Sequence, residues 1–197
     1  NLAVVRQIQG NYSEAEQLLR KALAIEEKTL GPVHPLVART LNNLAEAMRM
    51  QKQPVMLEPL YQRALAIRER ALGPDHPAVA ASLSALAGLY ADDGKHKQAE
   101  KLYRRALQIL QKTFGQEHPD VARMLGNLAV SASMRKRYAE SEHYSQQAVA
   151  ILEKTLGPEH PELAIALDRY SQVLRRLKRN GDADAIETRA KALVAKP

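Results

Sequence analysis

The chain contains no cysteine and no tryptophan, and it has few aromatic residues of any kind. Its 197 residues include one Phe and seven Tyr, so aromatic side chains make up 4% of the sequence. The absence of cysteine excludes disulfide bonds and thiolate chemistry. With so few aromatic residues, a core must be built from Ala, Leu, Val and Ile. Small contacts of this kind let helices approach closely, which favours a stack of helices.

Long hydrophobic runs are also absent. No apolar stretch approaches the ~20 residues that a membrane-spanning helix needs, and no signal peptide is recognisable. We therefore expect a cytoplasmic protein without a membrane span. The chain begins at Asn1, without a methionine and inside a repeat. We expect that a natural N-terminus has been removed, so a missing targeting signal carries little weight.

Positive charge is in excess, with a formal net charge of +7. Such a charge permits acidic partners, anionic surfaces or nucleic acid, although a solvated basic surface explains it equally well. Two basic runs, 134–137 and 175–179, could form one positive edge, and cations near helix C-termini also have a local rationale. Few aromatic side chains are available to stack on bases, so nucleic acid is an unlikely partner.

The dominant feature of the sequence is a repeat of 42 residues. The segment Gly31-Pro32-Val33-His34-Pro35 returns, as Gly-x-x-His-Pro, at 73–77, 115–119 and 157–161. A fixed period of this length indicates stacked supersecondary units. Between these loops lie two apolar stripes at helical spacing, which predict a pair of antiparallel helices. Glycine is expected to end the second helix of each pair, and proline to begin the next helix.

The apolar positions of one unit resemble the tetratricopeptide (TPR) pattern. That resemblance rests on Leu86, Ala87, Tyr90, Ala99, Tyr103 and Ala106. The longer period, and phrases such as 40–45, 60–67 and 24–31, are similar to kinesin light chains and to nephrocystin-like and bacterial relatives. An Ala- and Arg-rich composition without cysteine favours a bacterial relative. HEAT and armadillo repeats share the period but lack the Ala-x-x-x-Tyr-x-x-Ala spacing.

The resemblance implies an all-α fold, a right-handed α-solenoid of antiparallel helix pairs with about five repeats. A single solenoid domain is expected over residues 1–197. Its units are a partial repeat at 1–30 and repeats at 31–72, 73–114, 115–156 and 157–197. The second unit departs from the pattern at Lys52-Gln53-Pro54. In the last unit Glu187 replaces an expected tyrosine, so we expect the final helix, 182–195, to be a polar cap.

Four histidines recur with the repeat, at His34, His76, His118 and His160. Equivalent positions in stacked helices lie on the order of 10 Å apart, whereas zinc binds nitrogens at about 2.1 Å. We therefore interpret these histidines as capping or packing residues, and expect no metal site and no cofactor. No phosphate-binding loop, nucleophile elbow or zinc-protease motif is present. The chain is expected not to be an enzyme.

In TPR proteins the first helix of each unit lines a concave groove, and the resemblance implies that this groove binds the partner. The positions expected to face it are Arg39, Asn42, Glu46, Arg49, Ser84, Gly88, Arg123, Gly126, Val130, Asp168, Gln172 and Arg175. Small residues at its middle indicate close approach of a partner chain or tight packing of neighbouring helices. Arginines at its rim could pair with carboxylates in bidentate fashion.

These features predict a protein or peptide partner. The expected function is a non-catalytic scaffold or adaptor that binds extended acidic and apolar peptide segments, as the groove of kinesin light chains accepts short cargo peptides. Two alternatives stay open. One is nucleic-acid or anionic-surface binding along the basic edge, and the other is a regulatory repeat region of a larger multidomain protein. The sequence leaves the oligomeric state open.

Overall fold

The computed structural model describes residues 2–51 and 57–194, which form ten α-helices and no strand. The helices are α1 (Leu2–Ile8), α2 (Tyr12–Leu30), α3 (Pro35–Met50), α4 (Leu57–Leu72), α5 (Pro77–Asp92), α6 (His96–Phe114), α7 (Pro119–Met134), α8 (Tyr138–Leu156), α9 (Pro161–Arg176) and α10 (Asn180–Val194). The all-α fold of helix pairs is confirmed. The expected irregular turn at 52–54 and the expected end of the last helix at Ala195 lie outside the described residues.

Glycine and proline set the helix boundaries, as the repeat predicts. The second helices α2, α4, α6 and α8 each end one residue before a glycine whose φ lies between 81° and 89°. Side chains rarely adopt this left-handed conformation, and no neighbouring atom lies close to these glycines, so backbone conformation alone explains the residue type. The first helices α3, α5, α7 and α9 each begin at the proline of the loop.

The four recurring histidines cap the first helices. In each loop the histidine Nδ1 accepts a hydrogen bond from the backbone N–H two residues later, at 3.1 to 3.2 Å. This bond satisfies one of the backbone donors that a helix start leaves without an intrahelical partner. The interpretation of the histidines as capping residues is confirmed.

Replacing His118 with Ala is expected to lower the free energy of unfolding by about 1 kcal/mol, the usual loss for a side-chain cap. Its Nδ1 accepts from the Asp120 N–H, and its ring stacks on Phe114 with centroids 4.4 Å apart. Urea denaturation followed by circular dichroism measures the change. His143→Ala is the control, since His143 is exposed within α8. Equal losses in both variants would contradict the capping role.

The chain divides into two compact units, one up to Leu89 and one from Tyr90. In the first unit α1 packs on α2, α2 on α3, and α3 on α4. In the second unit α6 packs on α7, α7 on α8, α8 on α9, and α9 on α10. Short turns join the members of each pair, so paired helices run antiparallel. A single solenoid domain over the whole chain stays a prediction.

Alanine at one repeat position lets the helices approach closely. Ala64, Ala106, Ala148 and Ala190 recur at 42 residues and are at most 5% exposed. In the first unit, Ala64 lies in a buried cluster with Val37, Leu41 and Ile67. A core built from small and aliphatic side chains therefore follows from the composition.

Candidate functional site

A cleft separates the first helices of two consecutive repeats in the second unit. It contains a cavity of about 250 Å³ lined by Ala122, Arg123 and Gly126 of α7, Ser145, Ala148 and Leu152 of α8, and Glu162, Ile165, Ala166 and Arg169 of α9. The α8 side chains Ala148 and Leu152 are buried. An adjoining cavity of about 470 Å³ is lined by Val130, Ser133, Met134, Arg169, Gln172, Val173, Arg175 and Arg176. We call the two cavities together the α7/α9 cleft.

Gly126 leaves space in this cleft. A Cβ atom built on Gly126 would lie 3.7 Å from Nη1 of Arg169, which is an ordinary van der Waals distance. Packing between α7 and α9 therefore does not require glycine at this position. Of the two explanations that the sequence left open for Gly126, the geometry favours room for another molecule.

Apolar side chains are exposed along the same cleft. Val130, Met134 and Ile165 are 40%, 59% and 57% exposed. They come from the two facing helices and line the adjoining cavities. An apolar strip of this kind indicates a surface that another molecule covers.

Two arginines of the cleft have no ionic partner. Arg169 and Arg176 form no hydrogen bond or ion pair with any residue that the structure describes. By contrast, Arg123 pairs with Asp120 one turn earlier in α7. Arg175 pairs with Asp184, at 2.9 Å, and with Glu187, both on α10. Hydrogen bonds from Glu187 and Asp184 raise the pKa of Arg175. The unpaired positive charge of the cleft therefore comes from Arg169 and Arg176.

The remaining predicted positions of α9 lie apart from this charge. Gln172 lines the cleft and donates to Asp168 Oδ2 at 2.9 Å. Asp168 itself lines a different cavity, on the side of α9 that contacts α10. The sequence missed Arg169 because it counted Asp168 as the inward position, and one residue along a helix turns the side chain by about 100°.

In the first unit, two of the predicted groove residues neutralise each other. Arg49 donates to both carboxylate oxygens of Glu46, at 2.7 and 3.0 Å, and Tyr61 Oη donates to Glu46 at 3.1 Å. Burial favours the neutral form of Glu46, but the hydrogen bonds and charge of Arg49 outweigh it and lower its pKa. Burial and the neighbouring Glu46 raise the pKa of Tyr61. Arg49 is therefore engaged within its own helix.

The other predicted positions of the first unit lie on α3 and α5. Arg39 is exposed on α3, and Asn42 Nδ2 donates to Ser82 Oγ at 3.3 Å. The Oδ1 atom of Asn42 is buried without a hydrogen-bond partner. Ser84 and Gly88 are partly buried on α5.

The predicted basic edge is largely ion-paired. Arg135 and Arg137 both bond to Glu100, whose side chain is 10% exposed, and Arg104 bonds to it as well. Arg137 and Arg104 also reach Glu140, at 2.7 and 2.6 Å. Arg179 pairs with Glu142 and Asp182, at 2.5 and 2.7 Å. The basic runs therefore offer much less unpaired charge to a polyanion than their sequence indicates.

These ion pairs follow the repeat, and the sequence carried a signal for them that we missed. Acidic residues recur at 42 residues near the start of every second helix, at Glu16, Glu58, Glu100, Glu142 and Asp184. Three of them bond to the end of the next first helix or to the turn after it. Gln51 bonds to Glu16 at 2.6 Å, Arg135 and Arg137 to Glu100, and Arg179 to Glu142. We call this contact the repeat clamp.

Among the described residues, no group of His, Asp and Glu side chains could hold a metal ion. Within the same ranges, no helix combines the length and apolar character that crossing a membrane requires.

Comparison with known proteins places these helix pairs in a family. A Tetratricopeptide repeat model matches residues 1–55, 57–112, 82–154 and 120–196. The kinesin light chain-like, nearly identical TPR-like repeats of Podosopora anserina are 28% identical, with a TM-score of 0.82 over 98% of this chain and 92% of that one. BtubC (BKLC) from P. vanneervenii is 25% identical, with a TM-score of 0.83 over 98% and 77%.

A Rap protein complexed with Competence and Sporulation Factor is 18% identical, with a TM-score of 0.76 over 97% of this chain and 52% of that one. At this identity the likeness shows the fold alone. No curated protein matches the chain. Because the repeat model matches along nearly the whole length and the helix pairs have the expected boundaries, the chain belongs to the tetratricopeptide repeat family.

Proposed function

We propose that the chain is a non-catalytic scaffold that binds an extended peptide segment of a partner protein in the α7/α9 cleft. The TPR repeats and the kinesin light chain-like relatives support a protein-interaction scaffold. The observation that carries the finer proposal is the combination of exposed apolar groups with two unpaired arginines in one cleft. A cytoplasmic location belongs to the same proposal.

Charge complementarity defines the kind of peptide. Arg169 and Arg176 have no carboxylate of their own chain, so acidic side chains of a partner can pair with both. Val130, Met134 and Ile165 can cover apolar side chains of the same segment. An extended peptide satisfies both requirements because its successive side chains point in alternate directions.

The first unit offers a second, polar stretch for the same segment. The buried Oδ1 of Asn42 lacks a donor, and a backbone N–H of a bound peptide would supply one. Arg39, Ser84 and Gly88 flank this stretch in the proposed groove. Arg49, Arg123 and Arg175 contribute less, since carboxylates of the chain already bind them.

Arg169→Glu is expected to weaken binding of selected peptides by at least tenfold, because it replaces an unpaired cation of the cleft with a repelling anion. Peptides would be selected from a displayed library of natural disordered segments, and affinities measured by isothermal titration calorimetry. Gly126→Leu, which places a side chain in the smaller cavity, is expected to weaken the apolar peptides in particular.

Arg70→Glu is the matched control, because Arg70 is an exposed arginine of α4 that lines none of these cavities. Circular dichroism should be unchanged in all three variants. Equal affinities of the parent and Arg169→Glu proteins would contradict the proposed cleft. So would a library screen that enriches no peptide.

A further inference from the structure

The repeat allows the smaller cavity of the α7/α9 cleft to be compared with its counterpart in the first unit, 84 residues earlier. Three apolar or small residues of the cavity, Gly126, Leu152 and Ala166, correspond to Asn42, Arg68 and Ser82. All three exchanges replace a non-polar residue with a polar one. The same position in the fold is therefore apolar in the second unit and polar in the first.

Hydrogen bonds join the three polar residues into one group. Arg68 Nη1 on α4 donates to the carbonyl of Ala78, at 3.0 Å, and to Ser82 Oγ, at 2.8 Å. Asn42 Nδ2 on α3 donates to the same Ser82 Oγ at 3.3 Å. Ser82 is fully buried on α5. The guanidinium of Arg68 is thus held in a defined place, where α3, α4 and α5 meet.

A second guanidinium lies nearby without a balancing negative charge. Burial lowers the pKa of Arg68, and the charge of Arg39 lowers it further, so the two cations lie close enough to repel. Neither Arg39 nor Arg68 forms an ion pair with a carboxylate in the part of the chain that the structure describes. The partly buried arginines of the repeat clamp, by contrast, each pair with Glu100.

We propose that Arg39 and Arg68 bind one anionic group of a ligand, a carboxylate or a phosphate, next to Ser82. Two guanidinium groups present forked donors that match the oxygens of either anion. An anion between them would remove their repulsion and supply the missing counter-charge of a partly buried cation. The proposal rests on the proposed function only for the partner that would carry the anion.

The test uses inorganic phosphate and acetate as probes of the two anion chemistries. The arginine Nε–H resonances of the whole chain are followed by NMR during titration at constant ionic strength, with sodium chloride as the reference salt. Saturable shifts at Arg39 and Arg68, without one at Arg70, are the expected result. A response to phosphate alone would assign a phosphorylated group, and a response to acetate would assign a carboxylate. Shifts that follow chloride, or none, would overturn the proposal.

Two variants confirm the location. Arg39→Gln is expected to weaken anion binding about tenfold, as for loss of one charge-assisted contact. The double variant Arg68→Leu/Ser82→Ala reproduces the residues that the second unit carries at Leu152 and Ala166, so it should fold and lose the saturable response. Arg70→Gln should leave the response unchanged.

The outcome is independent of the peptide experiment. Anion binding that survives both variants would overturn this proposal, whereas binding of peptides in the α7/α9 cleft is tested through Arg169. Selected peptides that bind through Arg169 but not through Arg39 would leave the proposed function standing and remove the anion site from it.

Discussion

Replacing Ala106 with Arg is expected to lower the free energy of unfolding by about 4 kcal/mol or more, enough to unfold many domains of this size. Ala106 is 0% exposed on α6, at the repeat position where Ala64, Ala148 and Ala190 are also buried. An arginine there must either push the packed helices apart or leave its charge buried without a partner. Urea denaturation followed by circular dichroism measures the loss.

Gln108→Arg is the matched control for this substitution. Gln108 lies two residues further along α6 and is exposed, so the same side chain should change the free energy of unfolding by less than about 0.5 kcal/mol. A parent-like denaturation midpoint for Ala106→Arg would mean that this face of α6 is not a helix interface. It would also remove the basis for the repeat register used throughout.

Replacing Glu100 with Ala is expected to lower the free energy of unfolding by about 3 kcal/mol, the lower end of the range for breaking a buried ion pair. The carboxylate bonds to Arg104, Arg135 and Arg137, and its removal leaves these cations with less compensation. Because the arginines are partly exposed, water and Glu140 recover part of the loss, which keeps the expected value at that lower end.

Glu153→Ala provides the comparison, because the pair of Glu153 with Arg189 is exposed and should contribute about 0 to 1 kcal/mol. The pH dependence gives a second test. Burial favours the neutral form of Glu100, but its hydrogen bonds with arginines outweigh this and lower its pKa. Its stabilisation is therefore present above the ordinary glutamate pKa and lost as the pH falls below it. The difference between the parent and Glu100→Ala should shrink with acidification, and a constant difference would contradict the clamp.

The local signals of the sequence predicted the helices well. Gly115 and Pro119 place a helix end and a helix start within a few residues, because each imposes a backbone conformation or removes a donor. The same local logic predicted the capping role of His118. The final helix was the looser case, since it begins at Asn180 rather than at the expected residue 182, where no loop of glycine and proline marks the boundary.

The candidate site was harder to predict, because it depends on distances between repeats. Arg49 and Arg123 read as free rim charges, yet carboxylates one turn away bind them. Arg175 pairs with Asp184 across a turn, which the sequence alone does not reveal. Arg169 was missed because assigning a helical face by counting carries an error of one residue. The exchange of Leu152 for Arg68 was visible in the repeat, but its meaning required the surrounding contacts.

The repeat clamp makes the coupling between neighbouring repeats unequal along the chain. At Glu16 the contact is a hydrogen bond from the neutral Gln51, whereas Glu100 holds two arginines of the following turn. In a stack whose cooperativity comes from nearest-neighbour terms, a weak junction is where thermal fluctuations first separate adjacent units. Amide protons of α1 and α2 should therefore exchange with solvent through smaller openings than those of α6 and α7, so that the protein melts as a graded series rather than as one block.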